Sequence, residues 1–286
     1  MKSRREERRC VMKKIRLHYL LGDVHMGGHD VHRIARGALA LLNAAGCFDV
    51  LMVCDGPNLG DIGFDDYFQS GKITEADAFI FNCGNWRFNV PSEQKQLEDA
   101  VAGGAGFLLM HGDHPCYWPA AGMAPWEGFE RMAGFVWREK TSHGDFGNFH
   151  ISVKQPTHPI MQGLSDFDTR DEVFCTMENP HNVPFEVLAT AFSDPAVISR
   201  HGQAGTGQEE PIAITGRFEK GRTYNQGLGH VWPYYTGHGL GENTMIAWMP
   251  LNHRIMFVRA CEWIATGEVT MTQNFRGNIP LYKVEA

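Results

Sequence analysis

Apolar positions in the first third of the chain fall in short unbroken runs separated by longer periodic stretches. Ile15-Arg16-Leu17-His18-Tyr19-Leu20-Leu21 predicts a strand stopped at Gly22-Asp23, and Phe48 to Cys54, Asp77 to Cys83 and Gly106 to His111 predict three more. Between them, His32 to Ala45 carries Ile34, Ala38, Leu41 and Leu42 at helical spacing and closes on Gly46. Glu93 to Val101 predicts a second helix, capped by Ser92 and stopped by Gly103-Gly104. Continuously apolar strands alternating with helices imply a mostly parallel sheet covered on both faces, a three-layer α/β/α fold. Ligands of such sheets sit beyond the carboxyl ends of the strands. The segments there are Asp23 to Asp30, Asp55 to Asn58, Asn82 to Trp86 and His111 to His114, all rich in His, Asp, Asn and Gly.

Beyond about Trp118 the pattern is less regular. Phe149 to Val153, Phe185 to Ala191, Ile212 to Thr215 and Thr223 to Leu228 predict strands, and His201 to Glu210, with three glycines, predicts a mobile surface loop. Asn252 to Ala265 has the spacing of an amphipathic helix closed by Gly267. No repeat or linker divides the chain. The expected organisation is a basic flexible tail over 1–13, one domain over 14–267 and a C-terminal extension over 268–286 that packs on the body or on a neighbour.

Composition adds little until charge is divided. The 286 residues carry a net −7, but the first fourteen hold seven Lys/Arg and two Glu, so the remainder stands at −12. A body that acidic is a poor partner for nucleic acid or anionic lipid, and no apolar run is long enough to span a membrane. The seven cysteines are scattered without CxxC spacing, which fits reduced thiols and a cytoplasmic location.

Histidine changes the picture. There are fourteen, several beside glycine: Gly28-His29, His111-Gly112, His143-Gly144, Gly229-His230 and Gly237-His238. Glycine admits close backbone approach, and neutral imidazole is both the common metal ligand and the proton carrier near neutral pH. In Gly106-Phe107-Leu108-Leu109-Met110-His111-Gly112-Asp113-His114 a strand runs into a tight turn, with His111 at its tip and no cysteine before Cys116. Cysteine acyl chemistry needs a thiolate beside a base, so glutamine amidotransferase activity is excluded; His111 is either a ligand or a buried turn residue. Among His25, His29 and His32, His29 stands at the strand-to-helix junction. Asp171-Glu172 is a carboxylate pair ahead of Val173-Phe174, either a base and a ligand or a solvated strand end. Gly221 to Tyr234 delivers His230 to a glycine turn followed by Trp232 and Tyr234. With Tyr235, Trp86, Trp118 and Trp126 these offer flat faces of the kind that pack on sugar rings, and would serve equally in a core.

The run His158-Pro159-Ile160, Gly163-Leu164, Asp171-Glu172, Leu188-Ala189-Thr190, Gly221-Arg222, Gly229-His230, Glu262-Trp263 and Gly267 resembles the ThuA-like (trehalose utilisation) pattern. His29-Asp30 is similar to that family's N-terminal His-acidic pair, and Gly103 to Gly106 leading into His111 to its glycine-rich strand and histidine. The resemblance covers Lys14 to Gly267 and implies a flavodoxin-like domain of the class I glutamine amidotransferase-like superfamily. It also implies a link to trehalose or a related disaccharide, alongside an oxidoreductase that makes 3-ketosugars. The expected protein is a metal-assisted enzyme acting on a keto-sugar or glycoside by isomerisation, elimination or hydrolysis. Its divalent ion, zinc or manganese, is expected on His29, His111, Glu172 and His230, with Asp171 or His114 moving a proton. Asn85, Trp86, Trp232 and Tyr234 are expected to contact a small carbohydrate, in a homo-oligomer. The alternative is a non-catalytic sugar-binding or regulatory protein on the same scaffold.

Overall fold

Residues 13–22, 29–55, 60–83, 89–199, 202–231 and 245–281 are described in the structure, a computed structural model. The expectations for the basic tail and for Asn85, Trp86, Trp232 and Tyr234 fall outside them, as do those for His25 and Tyr235. In chain order the elements are β1 (Ile15–Leu21), α1 (Val31–Ala45), β2 (Phe48–Val53), α2 (Phe64–Gln69), β3 (Ala78–Asn82), α3 (Pro91–Gly103), β4 (Gly106–Met110), α4 (Glu127–Ala133), β5 (Ser142–His143), β6 (Gly147–Val153), β7 (Phe167–Asp171), β8 (Phe174–Cys175), β9 (Phe185–Phe192), β10 (Glu209–Phe218), β11 (Gly221–Gln226) and α5 (Leu251–Thr266).

The main sheet runs β2-β1-β3-β4-β11-β10-β9-β6-β7. Its first five strands pair in parallel, in the order of flavodoxin-like doubly wound sheets. Successive side chains of a strand leave opposite faces, and the parallel strands feed two cores accordingly. Leu17, Tyr19, Leu21, Ile80, Leu108 and Met110 meet α1 and α5 on one side. Leu20, Phe79, Phe81, Phe107 and Leu109 meet α2, α3 and α4 on the other. The result is the three-layer α/β/α arrangement. From β11 onward the pairing turns antiparallel, so the sheet is mixed.

Helix α1 forms because Val31, Ile34, Ala35, Ala38, Leu41 and Leu42 make one buried stripe, each large side chain contributing roughly 1.5–3 kcal/mol by leaving water. Asp30 caps it by accepting from the Arg33 N–H at 2.9 Å. For α3, Ser92 does not cap: the N-cap is Val90, and Pro91 takes the first helical position, where its missing N–H costs nothing. Helix α5 is not amphipathic in the expected sense. Arg254, Arg259 and Glu262 are buried together with its apolar residues, because the C-terminal extension covers the outer face. That extension therefore packs on the body. Nor is 201–210 a loose loop throughout. Within its described part, Ala204 bridges Ile198, the Thr206 N–H donates to Ser193, and Glu209 and Glu210 open β10. Trp126 is a core residue, edge-on to Tyr117, and presents no face to a sugar.

Candidate metal centre

Three imidazoles converge at the carboxyl edge of the parallel strands. Strand β4 ends at Met110, and a tight helical turn over His111–Asp113 carries the His111 ring into the interior. His29 precedes α1 and forms an isolated parallel bridge with Val231, while the Asp30 N–H donates to the Val231 carbonyl at 3.0 Å. His230 follows β11 through Gly227-Leu228-Gly229. One nitrogen from each of His29, His111 and His230 lies within 4.8 Å of the other two. Two glycines make room: a Cβ on Gly112 would stand 3.1 Å from the His29 side chain, and Gly229 has φ +144° with its Cβ direction 3.3 Å from that of His111.

The tautomer of His111 is set by its surroundings. Its Nδ1–H donates to the Gly227 carbonyl at 2.6 Å, which leaves the Nε2 lone pair facing His230 Nδ1 at 3.2 Å. Tetrahedral zinc with bonds of roughly 2.0–2.1 Å holds its nitrogens about 3.3–3.4 Å apart. The observed spacing is close to that of two ligands of one ion. Burial, and after it the neighbouring His29 and His230, hold His111 well below the usual imidazole range, so the ring is neutral and ready to ligate.

Two carboxylates stand beside the rings. Asp171, at the end of β7, is fully buried; its Oδ1 lies 3.9 Å from His111 Nε2 and 3.8 Å from His230 Nδ1. Its Oδ2 accepts the Gly229 N–H at 2.8 Å, and Oδ1 the Glu172 N–H at 2.9 Å. Burial raises its carboxyl to about 6, against the pull of His230 and of these backbone donors. Glu172 Oε2 is 3.3 Å from His230 Nδ1, and its Oε1 is 3.6 Å from His143 Nδ1.

His114 does not join them. Its Nδ1 lies 2.7 Å from the His111 carbonyl and its Nε2 2.5 Å from Asn225 Oδ1, two acceptors of which a neutral ring can serve one. Both nitrogens are turned to these partners, and burial brings the ring down to about 4. His114 supports the turn that carries His111 and is not placed to move a proton at the cluster. Residues missed from sequence complete the surroundings. Phe174 stacks on His111 with centroids 4.3 Å apart, Phe146 meets His230 edge-on, and His143 reaches Glu172. His143 carried a signal, its glycine neighbour; Phe174 and Phe146 carried none. Among the described residues no thiol joins the cluster, and Cys116 is buried, which pushes its thiol up, away from the thiolate.

Solved structures agree with this architecture. A ThuA-like protein from Parabacteroides merdae is 21% identical, with a TM-score of 0.68 over 90% of this chain and 92% of that one. A ThuA-like protein from Bacteroides uniformis is 16% identical, TM-score 0.61, over 88% and 91%. A cytoplasmic protein from Salmonella typhimurium LT2 is 11% identical, TM-score 0.51, over 87% and 99%. At these identities the likeness is one of fold. No curated protein sequence matches the chain. The ThuA family model, described as trehalose utilisation, matches residues 28–241, and by that match over most of its length the chain belongs to the ThuA family.

Proposed function

We propose that this chain is a metal-assisted enzyme of carbohydrate utilisation acting on an oxidised sugar, a keto-sugar or its glycoside. Membership of the trehalose utilisation family supports the carbohydrate role. The observation that carries the chemistry is the convergence of His29, His111 and His230 within 4.8 Å. These three and Glu172 would hold a divalent ion, zinc or manganese, and two carboxylates offset its charge. Such an ion, when bound, polarises a carbonyl or hydroxyl oxygen of the sugar.

The remaining work falls to side chains. Asp171, raised to about 6, is suited to accept a proton near neutral pH. The proton leaves the carbon beside the sugar carbonyl for Asp171 Oδ1, directly or through one water, and the electron pair moves to the carbonyl oxygen. Isomerisation, elimination and hydrolysis of a glycoside can each follow from that step. Asn85, Trp86, Trp232 and Tyr234 are proposed to contact the sugar, since they follow β3 and His230 in the chain. An oxidoreductase would supply the keto-sugar. Cys47, Cys175 and Cys261 are free thiols, in keeping with a reducing cytoplasm, and a homo-oligomer is the proposed assembly.

Incubation of zinc- or manganese-loaded protein with 3-keto disaccharides in deuterated water tests the proposal. Deuterium exchange or turnover by the wild type, abolished in Asp171→Asn, is expected. Tight binding of the sugar without exchange or turnover would replace the enzyme by a sugar-binding protein.

A further inference from the structure

Behind the imidazoles lies a second layer of polar side chains whose hydrogen bonds have fixed directions. The Tyr224 hydroxyl donates to Gln226 Oε1 at 3.2 Å. Gln226 Nε2 donates to the Leu228 carbonyl at 3.0 Å and to His253 Nε2 at 3.0 Å. His253 Nδ1–H donates to the Ala247 carbonyl at 2.8 Å. Carbonyls at both ends remove ambiguity. Leu228 can only accept, so the Gln226 amide cannot be turned over, and Ala247 can only accept, so the His253 proton sits on Nδ1. Next in the chain, Trp248 Nε1 donates to the Gly229 carbonyl at 3.1 Å. Tyr224, Gln226, Trp248 and His253 are each 0–1% exposed.

Four of these bonds close on the turn 226–229, and the fifth, from His253 to Ala247, orients the ring that Gln226 meets. The same turn presents the Gly227 carbonyl to His111 Nδ1–H and the Gly229 N–H to Asp171. Gln226 folds back on the carbonyl two residues ahead of it, which fixes the peptide between. A buried amide and imidazole cost desolvation that apolar side chains of like volume would avoid; what they add is direction.

We infer that Gln226 and His253 are positioning residues for the metal centre: they hold the Gly227 carbonyl so that the His111 proton stays on Nδ1 and its Nε2 lone pair faces His29 and His230. The inference rests on the metal reading above. Loss of such outer partners commonly weakens metal affinity 10–100-fold.

The test uses full-length wild type, Gln226→Leu, His253→Phe and Tyr224→Phe. Tyr224→Phe removes only a hydroxyl, so it folds even where the others do not. Two quantities are read: zinc affinity against a competing chelator at pH 7.5, and the ring-nitrogen NMR signature of His111 in the zinc-free protein. Expected are a wild-type His111 protonated on Nδ1 alone, zinc binding about 10–100-fold weaker in the first two variants and several-fold weaker in Tyr224→Phe, and a mixed His111 tautomer in all three. Wild-type zinc affinity and an unchanged tautomer in folded variants would overturn the inference and leave the metal reading standing. If the wild type binds no zinc, the metal reading fails, and the NMR signature alone decides the positioning role: a tautomer mixed in the variants supports it, an unchanged one overturns it.

Discussion

At the residue scale, hydrogen-bond partners settle which nitrogen of His111 and of His253 carries the proton, and burial keeps both rings uncharged. His253 is fully buried, and burial lowers it to about 4 from an unfolded value of 6.5. A depressed histidine leaves the unfolded chain binding the extra proton, so stability is lost as pH falls from 6.5 towards 4. The whole shift is worth roughly 3 kcal/mol, of which about 2 falls between pH 7 and 5. Urea unfolding of wild type and His253→Gln at these two pH values measures it. The variant is expected to lose less stability on acidification by that difference; equal losses would contradict it. Not all of this layer was readable from sequence. His29, His111 and His230 stood out because each adjoins glycine at a predicted strand end. Gln226 and His253 did not, since their contact joins residues 27 apart in the chain, and Gln226, though inside the segment Gly221 to Tyr234, meets its partner only when α5 packs against β11. His114 misled for the opposite reason: its spacing from His111 suggests a shared site, but the helical turn over His111–Asp113 aims it back towards Asn225.

At the element scale, the parallel strands and α1 were legible because a strand buried on both faces leaves an unbroken apolar run and a half-buried helix a periodic one. Boundaries were less so. The start of α3 is set by Pro91, which outweighs the capping preference of Ser92. Helix α5 reads as amphipathic because its Arg254, Arg259 and Glu262 resemble a wet face, yet each is a buried anchor for the C-terminal extension. Arg254 donates to the Gly277 and Ile279 carbonyls at 2.9 and 2.7 Å, and Arg259 to the Gln273 carbonyl at 3.1 Å. Glu262 accepts the N–H groups of Thr270, Met271 and Thr272, each at 2.8 Å. Burial pushes its carboxyl up, but the Thr272 hydroxyl, donating at 2.6 Å, and these N–H groups hold it below its usual value. Glu262→Ala leaves three donors without their acceptor and is expected to cost about 3 kcal/mol or more. Amide hydrogen exchange should speed up across 268–281 with little change in the parallel strands. Unchanged exchange there would show that the extension is held by other contacts.

At the scale of the whole molecule, the site joins the two halves of the sheet. Strands β4 and β11 of the parallel half deliver His111 and His230, and β7 of the antiparallel half delivers Asp171 and Glu172. Four strand positions separate β11 from β7, roughly 19 Å in a flat sheet. Yet Asp171 accepts a hydrogen bond from Gly229, so the antiparallel half curls back over the carboxyl edge. That closure was illegible in the sequence. Each residue was visible as a candidate, but nothing local states that an edge strand returns to the strand at the join. The curl supplies carboxylates to a cluster of imidazoles, a donor set suited to a divalent cation and unsuited to acyl transfer.

Titration of chelator-treated protein with zinc and with manganese at pH 7.5, read by calorimetry and elemental analysis, decides whether His29, His111 and His230 form a metal centre. One tightly held ion per chain is expected, with affinity lost in His111→Ala and in His230→Ala and retained in His150→Ala, a substitution at an exposed ring paired with Asp168. Absence of zinc and manganese binding in the folded wild type, or equal binding in all three variants, would contradict that expectation.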